Sequence, residues 1–230
     1  MGQKTRLMQA GRAASLAAVI AATLLIYGCM KKPPPEPPGP QPVVEVLDQL
    51  AWQGIASAED TMRINRIKDA WEQALDETQS KGFRRVVEAE GELLKPDAAL
   101  PRPAPTPGSY RCRVIKLGTQ QDKGLAFNAY KPFFCYVEVE GDLLTIVKQT
   151  GSQRPAGRLY PDANDNRLIF LGTLALGTEE APLAYGENAQ RDMAGVFERV
   201  ATFRFRLVIP WPRYESKLDV IELVPVPPEL

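Results

Sequence analysis

The feature that most constrains this chain is a change of hydrophobic period across a proline-rich stretch, Pro101, Pro103, Pro105, Pro107 and Gly108. Before it, apolar residues recur at helical spacing; after it they alternate with polar ones to the end of the chain. Side chains return to one face about every 3.6 residues on a helix and about every 2 on a strand, so the two halves must form different layers. Strands are read near residues 109–117, 132–140, 143–150, 155–160, 167–176, 193–200, 202–209 and 217–225. Glu140-Gly141-Asp142 and Asp162-Ala163-Asn164-Asp165-Asn166 supply turn chemistry between successive runs. In the clearest run, Phe203, Phe205, Leu207 and Ile209 share one face and Arg204 and Arg206 the other. About eight short antiparallel strands suit a closed or nearly closed barrel, which leaves no exposed edge, with a two-sheet sandwich as the alternative.

Upstream of the prolines, Ser57 with Asp60 three residues on offers a capping box. Ile64, Ile67, Trp71, Ala74 and Leu75 then form one apolar stripe up to Gly82, with Trp71 read as a core residue. A second helix covers Phe83 to Leu94 and stops before Pro96. The expected fold is therefore α+β: a helical segment over 43–100, then an antiparallel β-barrel-like domain over 108–230, the two forming one folded unit.

The amino terminus carries Lys4, Arg6 and Arg12 and then an apolar run from Ala13 to Tyr27. A basic start followed by about 15 apolar residues is the layout of a secretory signal, and the run is short of the about 20 residues a permanent span needs. It ends in Leu25-Ile26-Tyr27-Gly28-Cys29, which looks like the lipobox cut by the signal peptidase II family, with an uncleaved signal anchor as the alternative. The reading is a signal peptide over 1–28, a lipidated Cys29 and a proline-rich tether over 29–42, extended at about 3.1 Å per residue. One acyl chain anchors only marginally, and the expected triacylated cysteine exceeds that limit. Met30 in place of Asp after the cysteine points by the usual sorting resemblance to the outer membrane, and the domain is expected to face the periplasm.

Charge and residue types exclude several functions. The chain holds 28 basic and 28 acidic residues, and removing residues 1–28 leaves 25 against 28. A sequence-independent nucleic-acid binder needs surplus positive charge, so nucleic acid is not an expected partner. Histidine is absent, which removes the commonest general base and zinc ligand and every Ser-His or Cys-His pair. Three cysteines are too few for a thiolate metal cluster, and no metal or cofactor is expected. With Cys29 assigned to lipid, Cys112 and Cys135 on adjacent predicted strands are expected to form a disulfide, a link worth about 3 kcal/mol in the loop-entropy description.

Within this frame Thr150-Gly151-Ser152-Gln153-Arg154 is the most polar inter-strand cluster. Ser152, Gln153 and Arg154 are read either as a binding loop for an anionic or carbohydrate ligand or as a self-bonded tight turn. Tyr185, Arg191 and Asp192 lie in a long connection that either binds a ligand, Tyr185 foremost, or pins itself to the barrel. Ser152 with Lys148 is not enough to infer a catalytic dyad. The cluster Asp162, Asn164, Asp165 and Asn166 misses the spacing of a calcium loop and is read as a solvated hairpin.

Several segments resemble the bacterial family known as domain of unknown function 4893. They are Asp60-Thr-Met-Arg-Ile-Asn-Arg-Ile with Ala70-Trp71-Glu-Gln-Ala-Leu75, then Tyr110-Arg-Cys-Arg-Val-Ile-Lys-Leu-Gly118 and Thr150-Gly-Ser-Gln-Arg-Pro155. Phe170-Leu-Gly172, Tyr185-Gly186, Arg191-Asp192-Met-Ala-Gly195 and Ile221-Glu-Leu-Val-Pro225 follow in order. The resemblance implies an exported domain and brings no established activity. The functional expectation is a non-enzymatic envelope lipoprotein that binds a periplasmic ligand or partner protein, inhibitor-like by fold analogy. A structural or assembly accessory factor is the second reading, and a hydrolase working through carboxylates or a Ser-Lys arrangement the third.

Overall fold

The structure, a computed structural model, describes residues 51–121, 124–177 and 179–227. The signal segment, Cys29 and the tether lie outside the described residues. Among the described residues nine strands follow a helical segment: β1 (Gly108–Leu117), β2 (Phe127–Ala129), β3 (Phe133–Glu140), β4 (Leu143–Lys148), β5 (Gln153–Pro161), β6 (Arg167–Leu176), β7 (Asp192–Ala201), β8 (Arg204–Pro210) and β9 (Leu218–Pro225). From β3 to β9 each strand pairs antiparallel with the next, and β9 returns to β1 over Tyr110↔Pro225 to Leu117↔Leu218. β1 closes the ring by pairing β3 along its first half, while its second half pairs the extra strand β2. The result is a closed eight-stranded antiparallel barrel plus one strand, as the alternation predicts. The sandwich alternative does not apply.

Alternation decides which face is lumen. Tyr110, Cys112, Cys135, Val137, Ile146, Leu159, Phe170, Phe197, Phe205, Leu207, Ile209, Ile221 and Leu223 fill the interior as one buried cluster. Phe197 stacks on Phe205 with ring centroids 5.8 Å apart, and Tyr110 meets Phe205 edge-on at 6.2 Å. Gly157 and Gly172 face each other across β5 and β6. A Cβ on Gly157 would come within 2.5 Å of the Gly172 Cα and 2.7 Å of the Phe170 ring, so these glycines make room for that ring. Cys112 and Cys135 form a disulfide inside this core, their Cα atoms 6.0 Å apart. Packed rings and sulfur leave the barrel a solid apolar core rather than a ligand chamber.

The helices lie on the outer face. α1 (Ala58–Asn65) starts at Ser57, whose side chain accepts a hydrogen bond from the Asp60 N–H at 3.1 Å. The single helix expected up to Gly82 is broken: Arg66, at φ −103° and ψ 23°, separates α1 from α2 (Ile67–Thr78). A wide turn over Gln79–Phe83 follows, with Gly82 at φ 93°, then α3 (Arg84–Ala89) and a 3-10 turn, Gly91–Leu94. Breaking the axis lets two surfaces be covered in succession. Ile64 joins Trp52, Ile169, Leu171, Ala194 and Val196, whereas Ala70, Trp71 and Ala74 pack on Ile115, Leu117, Val208, Leu218 and Val220.

Further expectations need correction. Phe203 is not on the inner face of its strand: β8 begins at Arg204, the register shifts between Arg199 and Ala201, and Phe203 sits in the turn, 71% exposed. β2 escapes pattern reading because three residues are too short to show alternation. The proline stretch is also laid against the barrel. Pro103 and Pro105 are buried, Leu100 bridges to Arg199, and the Arg199 Nε donates to the Pro101 carbonyl at 3.2 Å.

Candidate functional site

Because the barrel interior is filled, functional side chains must be sought on its outside. Two clefts there, among the described residues, are candidates. The first lies between the helices and the β8–β9 connection, holds about 280 Å³ and is lined by Glu59, Met62, Arg63, Arg66, Gln73 and Trp211. Glu59, Met62, Arg63 and Arg66 stand at i, i+3, i+4 and i+7, a mostly charged stripe interrupted by Met62, and Gln73 continues it on α2.

Trp211 forms the facing wall. It sits between Pro210 and Pro212 with φ at 42°, a left-handed conformation that is unusual and strained for a bulky side chain. Three bonds hold it there. Its N–H donates to the Lys217 carbonyl at 2.8 Å, its indole N–H to Gln73 at 3.2 Å, and its carbonyl accepts from the Arg63 guanidinium at 3.0 Å. The Arg66 guanidinium lies 5.2 Å from the centre of the indole.

Arg63 links the cleft to a buried polar hub. Its other terminal nitrogen pairs with Asp60, while its Nε is buried without a partner, as is the Nε of Arg213. The Arg213 terminal nitrogens reach Glu59 at 3.1 and 3.4 Å. The capping box is modified here. The Ser57 N–H, which a box would satisfy from Asp60, donates instead to the Tyr185 hydroxyl at 2.9 Å, and that hydroxyl donates to Asp60. Burial, then the Asp60 carboxylate, push the Tyr185 hydroxyl above its ordinary pKa. Asp192 accepts from the Gly186 N–H at 3.1 Å, and burial first, with Asp60 behind it, raises its carboxyl. Segments far apart in sequence, around Asp60, Tyr185, Asp192 and Trp211, thus converge on one corner.

The second cleft contains part of the predicted loop. It holds about 290 Å³ and is lined by Lys148 and Arg154 with Val147, Ala156, Ala175 and the Glu179–Pro182 segment among others. Arg154 donates to the Glu179 carbonyl, and the Ser152 carbonyl accepts from the Gly177 N–H at 2.9 Å. Lys148 extends over the Phe133 ring, 4.3 Å from its centre, and burial lowers its ammonium pKa. Gln153 begins β5 and is exposed. Tyr185 does not line this cleft; it belongs to the hub above. Arg191 pairs with Glu179 at 2.6 Å and so braces the long connection.

Other polar groups are committed to structure. Asp162 accepts from the Trp52 indole at 2.9 Å and from Arg167 at 2.6 Å, and Asn164 closes its own loop onto the Asn166 N–H at 3.0 Å. Among the described residues no group of three or more His, Cys, Asp or Glu side chains is placed to hold a metal ion. Ser216 neighbours Lys116 through Asp219, yet its hydroxyl is buried and donates to that carboxylate, while Lys116 donates to the same group at 2.9 Å. A serine so placed is a donor in a network and not an exposed nucleophile.

The Trp211 wall was missed by pattern reading, because a backbone conformation leaves no periodic trace. The Pro210-Trp211-Pro212 sequence was the available signal. The family described as domain of unknown function (DUF4893) matches over residues 52–223. No curated protein and no solved structure matches the chain.

Proposed function

The chain belongs to the DUF4893 family, and we propose that it is an envelope lipoprotein, tethered through Cys29, that binds a partner protein on the outside of its barrel without turning it over. The carrying observation is the contrast between a lumen filled by Phe170, Phe197 and Phe205 and an external cleft walled by a conformationally strained Trp211. Strained residues persist where surrounding structure over-determines them, and such places cluster at binding sites. The secretory layout before Cys29 and the proline-rich stretch after it support the tether. Arg63 and the Tyr185–Asp60 hub then serve as the rigid backing of the binding face.

Site-specific photo-crosslinking tests the binding reading in cells. A photoreactive residue replacing Met62, at the exposed lip of the cleft, is expected to capture one discrete envelope protein, and one replacing Phe134, on the outer face of β3, is expected not to. Equal labelling from both positions contradicts the proposal. Tethering is tested separately: Cys29→Ala is expected to release the chain from membranes, and unchanged membrane fractionation contradicts that half.

A further inference from the structure

We infer that the cleft between α1, α2 and the β8–β9 connection is a carboxylate-recognition site for an acidic step in a peptide segment. The carboxylate lies between Arg63 and Arg66, and the neighbouring apolar residue rests against Trp211 and Met62. This deepens the binding reading above and rests on it.

Size is the first argument. About 280 Å³ falls just below the roughly 300 to 1,000 Å³ typical of small-molecule sites, and suits one or two side chains of a larger partner. Charge is the second. Of the lining residues two are cationic and one is anionic, and Glu59 is already held by Arg213. The described partner of Arg66 is Asp69 at 2.9 Å, and both side chains are about half exposed, so that pair is weak and exchangeable. The charge free to exchange is therefore that of the half-exposed Arg66, and one guanidinium matches a monoanionic carboxylate. A dianionic phosphate would meet the opposing fields of Glu59 and Asp60.

Donor geometry is the third argument. The Arg63 side chain is 9% exposed, its two terminal nitrogens are used by Asp60 and the Trp211 carbonyl, and its Nε has no partner. Buried donors are almost always paired, so Arg63, which lines the cleft, keeps donor capacity that its present partners do not use. Arg66 provides a planar fork on the same helix face, seated over the indole. The strained backbone and its three bonds hold the aromatic wall in place before any ligand arrives, which lowers the ordering cost of binding.

The test uses the full chain in detergent and follows the indole N–H resonance of Trp211 by NMR. Trp52 and Trp71 are both 3% exposed, which leaves Trp211 as the responsive indole. Three probes are titrated: a terminally blocked hexapeptide containing one Leu-Glu step, its Leu-Gln counterpart, and a peptide ending in Leu with a free terminal carboxylate. The Trp211 resonance is expected to move with the Leu-Glu peptide, and the Leu-Gln peptide to bind about tenfold more weakly or worse. Saturation by the free-terminus peptide alone would assign the carboxylate to chain ends; saturation by the Leu-Glu peptide assigns it to side chains. Arg66→Gln is expected to weaken the carboxylate-bearing probes about tenfold with thermal unfolding unchanged, since Arg66 is exposed.

Equal binding of the Glu and Gln peptides, or no effect of Arg66→Gln, overturns the inference. Crosslinking from Met62 that survives such a result leaves the partner-binding reading standing. Its absence removes both.

Discussion

The two faces of the same strands solve opposite problems. Inward, β1 and β3 to β9 present aromatic and aliphatic side chains around a disulfide. Outward, beneath the helices, the same strands carry buried charge. Arg206 is 0% exposed, pairs with Glu198 at 2.7 Å, donates to the carbonyls of Leu93, Lys95 and Pro96, and lies 5.0 Å from the Trp71 ring centre. Its guanidinium thereby satisfies the orphan carbonyls at the end of the Gly91–Leu94 turn. Beside it Arg113 forms two bonds to Glu90, at 2.9 and 2.7 Å, and one to Glu222 at 2.9 Å, while Arg204 holds Glu222 from the other side. Apolar packing closes the barrel without regard to direction. Fixed donors and acceptors hold the Glu90–Pro96 segment at one place on it.

That contrast can be broken from either side. Phe197→Ala removes a fully buried ring from the lumen and is expected to cost about 3 to 5 kcal/mol in denaturant unfolding, without altering the position of the helices. Arg206→Met is expected to cost about 3 kcal/mol, because Glu198 and several carbonyls lose their partner. Unlike the Phe197 variant, it should raise hydrogen exchange in Gly91–Leu94 and the residues after it. A neutral Arg206→Met would show that the outer network positions nothing. Removing the Cys112–Cys135 link by a double Cys→Ala change is expected to cost about 3 kcal/mol.

A smaller effect distinguishes the outer face by pH. Burial acts to raise the Glu77 carboxyl, but hydrogen bonds from Lys217 and Thr119 outweigh it and hold its pKa at about 2, against an ordinary 4.5. A carboxyl depressed on folding stabilises the fold fully above its unfolded value and loses that contribution as pH falls through the folded one. Stability is therefore expected to fall between about pH 4.5 and 2, and Glu77→Gln to flatten that limb. An unchanged acid limb in the variant contradicts this. Smallest of all, Phe203→Ser at an exposed turn should change stability by less than about 0.5 kcal/mol.

Much of the barrel was legible because alternation is a backbone property. β6 spans Arg167–Leu176, the range the pattern predicts, and Cys112 and Cys135 fall on adjacent strands as their spacing suggests. The helical region was legible in composition and not in course. Nothing in the apolar stripe signals that Arg66 leaves helical geometry, since the break serves contacts made by Ile64 and Trp71 with strands far along the chain. Candidate site residues were found singly. Asp60 was visible as a capping residue and Tyr185 as part of a long connection, but their bond spans 125 residues and follows from the closed ring. Arg204 and Arg206 read only as lying opposite the apolar face; in the structure Arg206 is fully buried and Arg204 half-buried.

The most direct test of an outward-working barrel is hydroxyl-radical footprinting of the chain in intact cells against the purified chain. Met62 and Trp211 are expected to lose labelling in cells while Phe134 and Phe203, exposed elsewhere, keep theirs. Unchanged labelling of Met62 and Trp211, or protection that falls on Phe134 instead, contradicts the account.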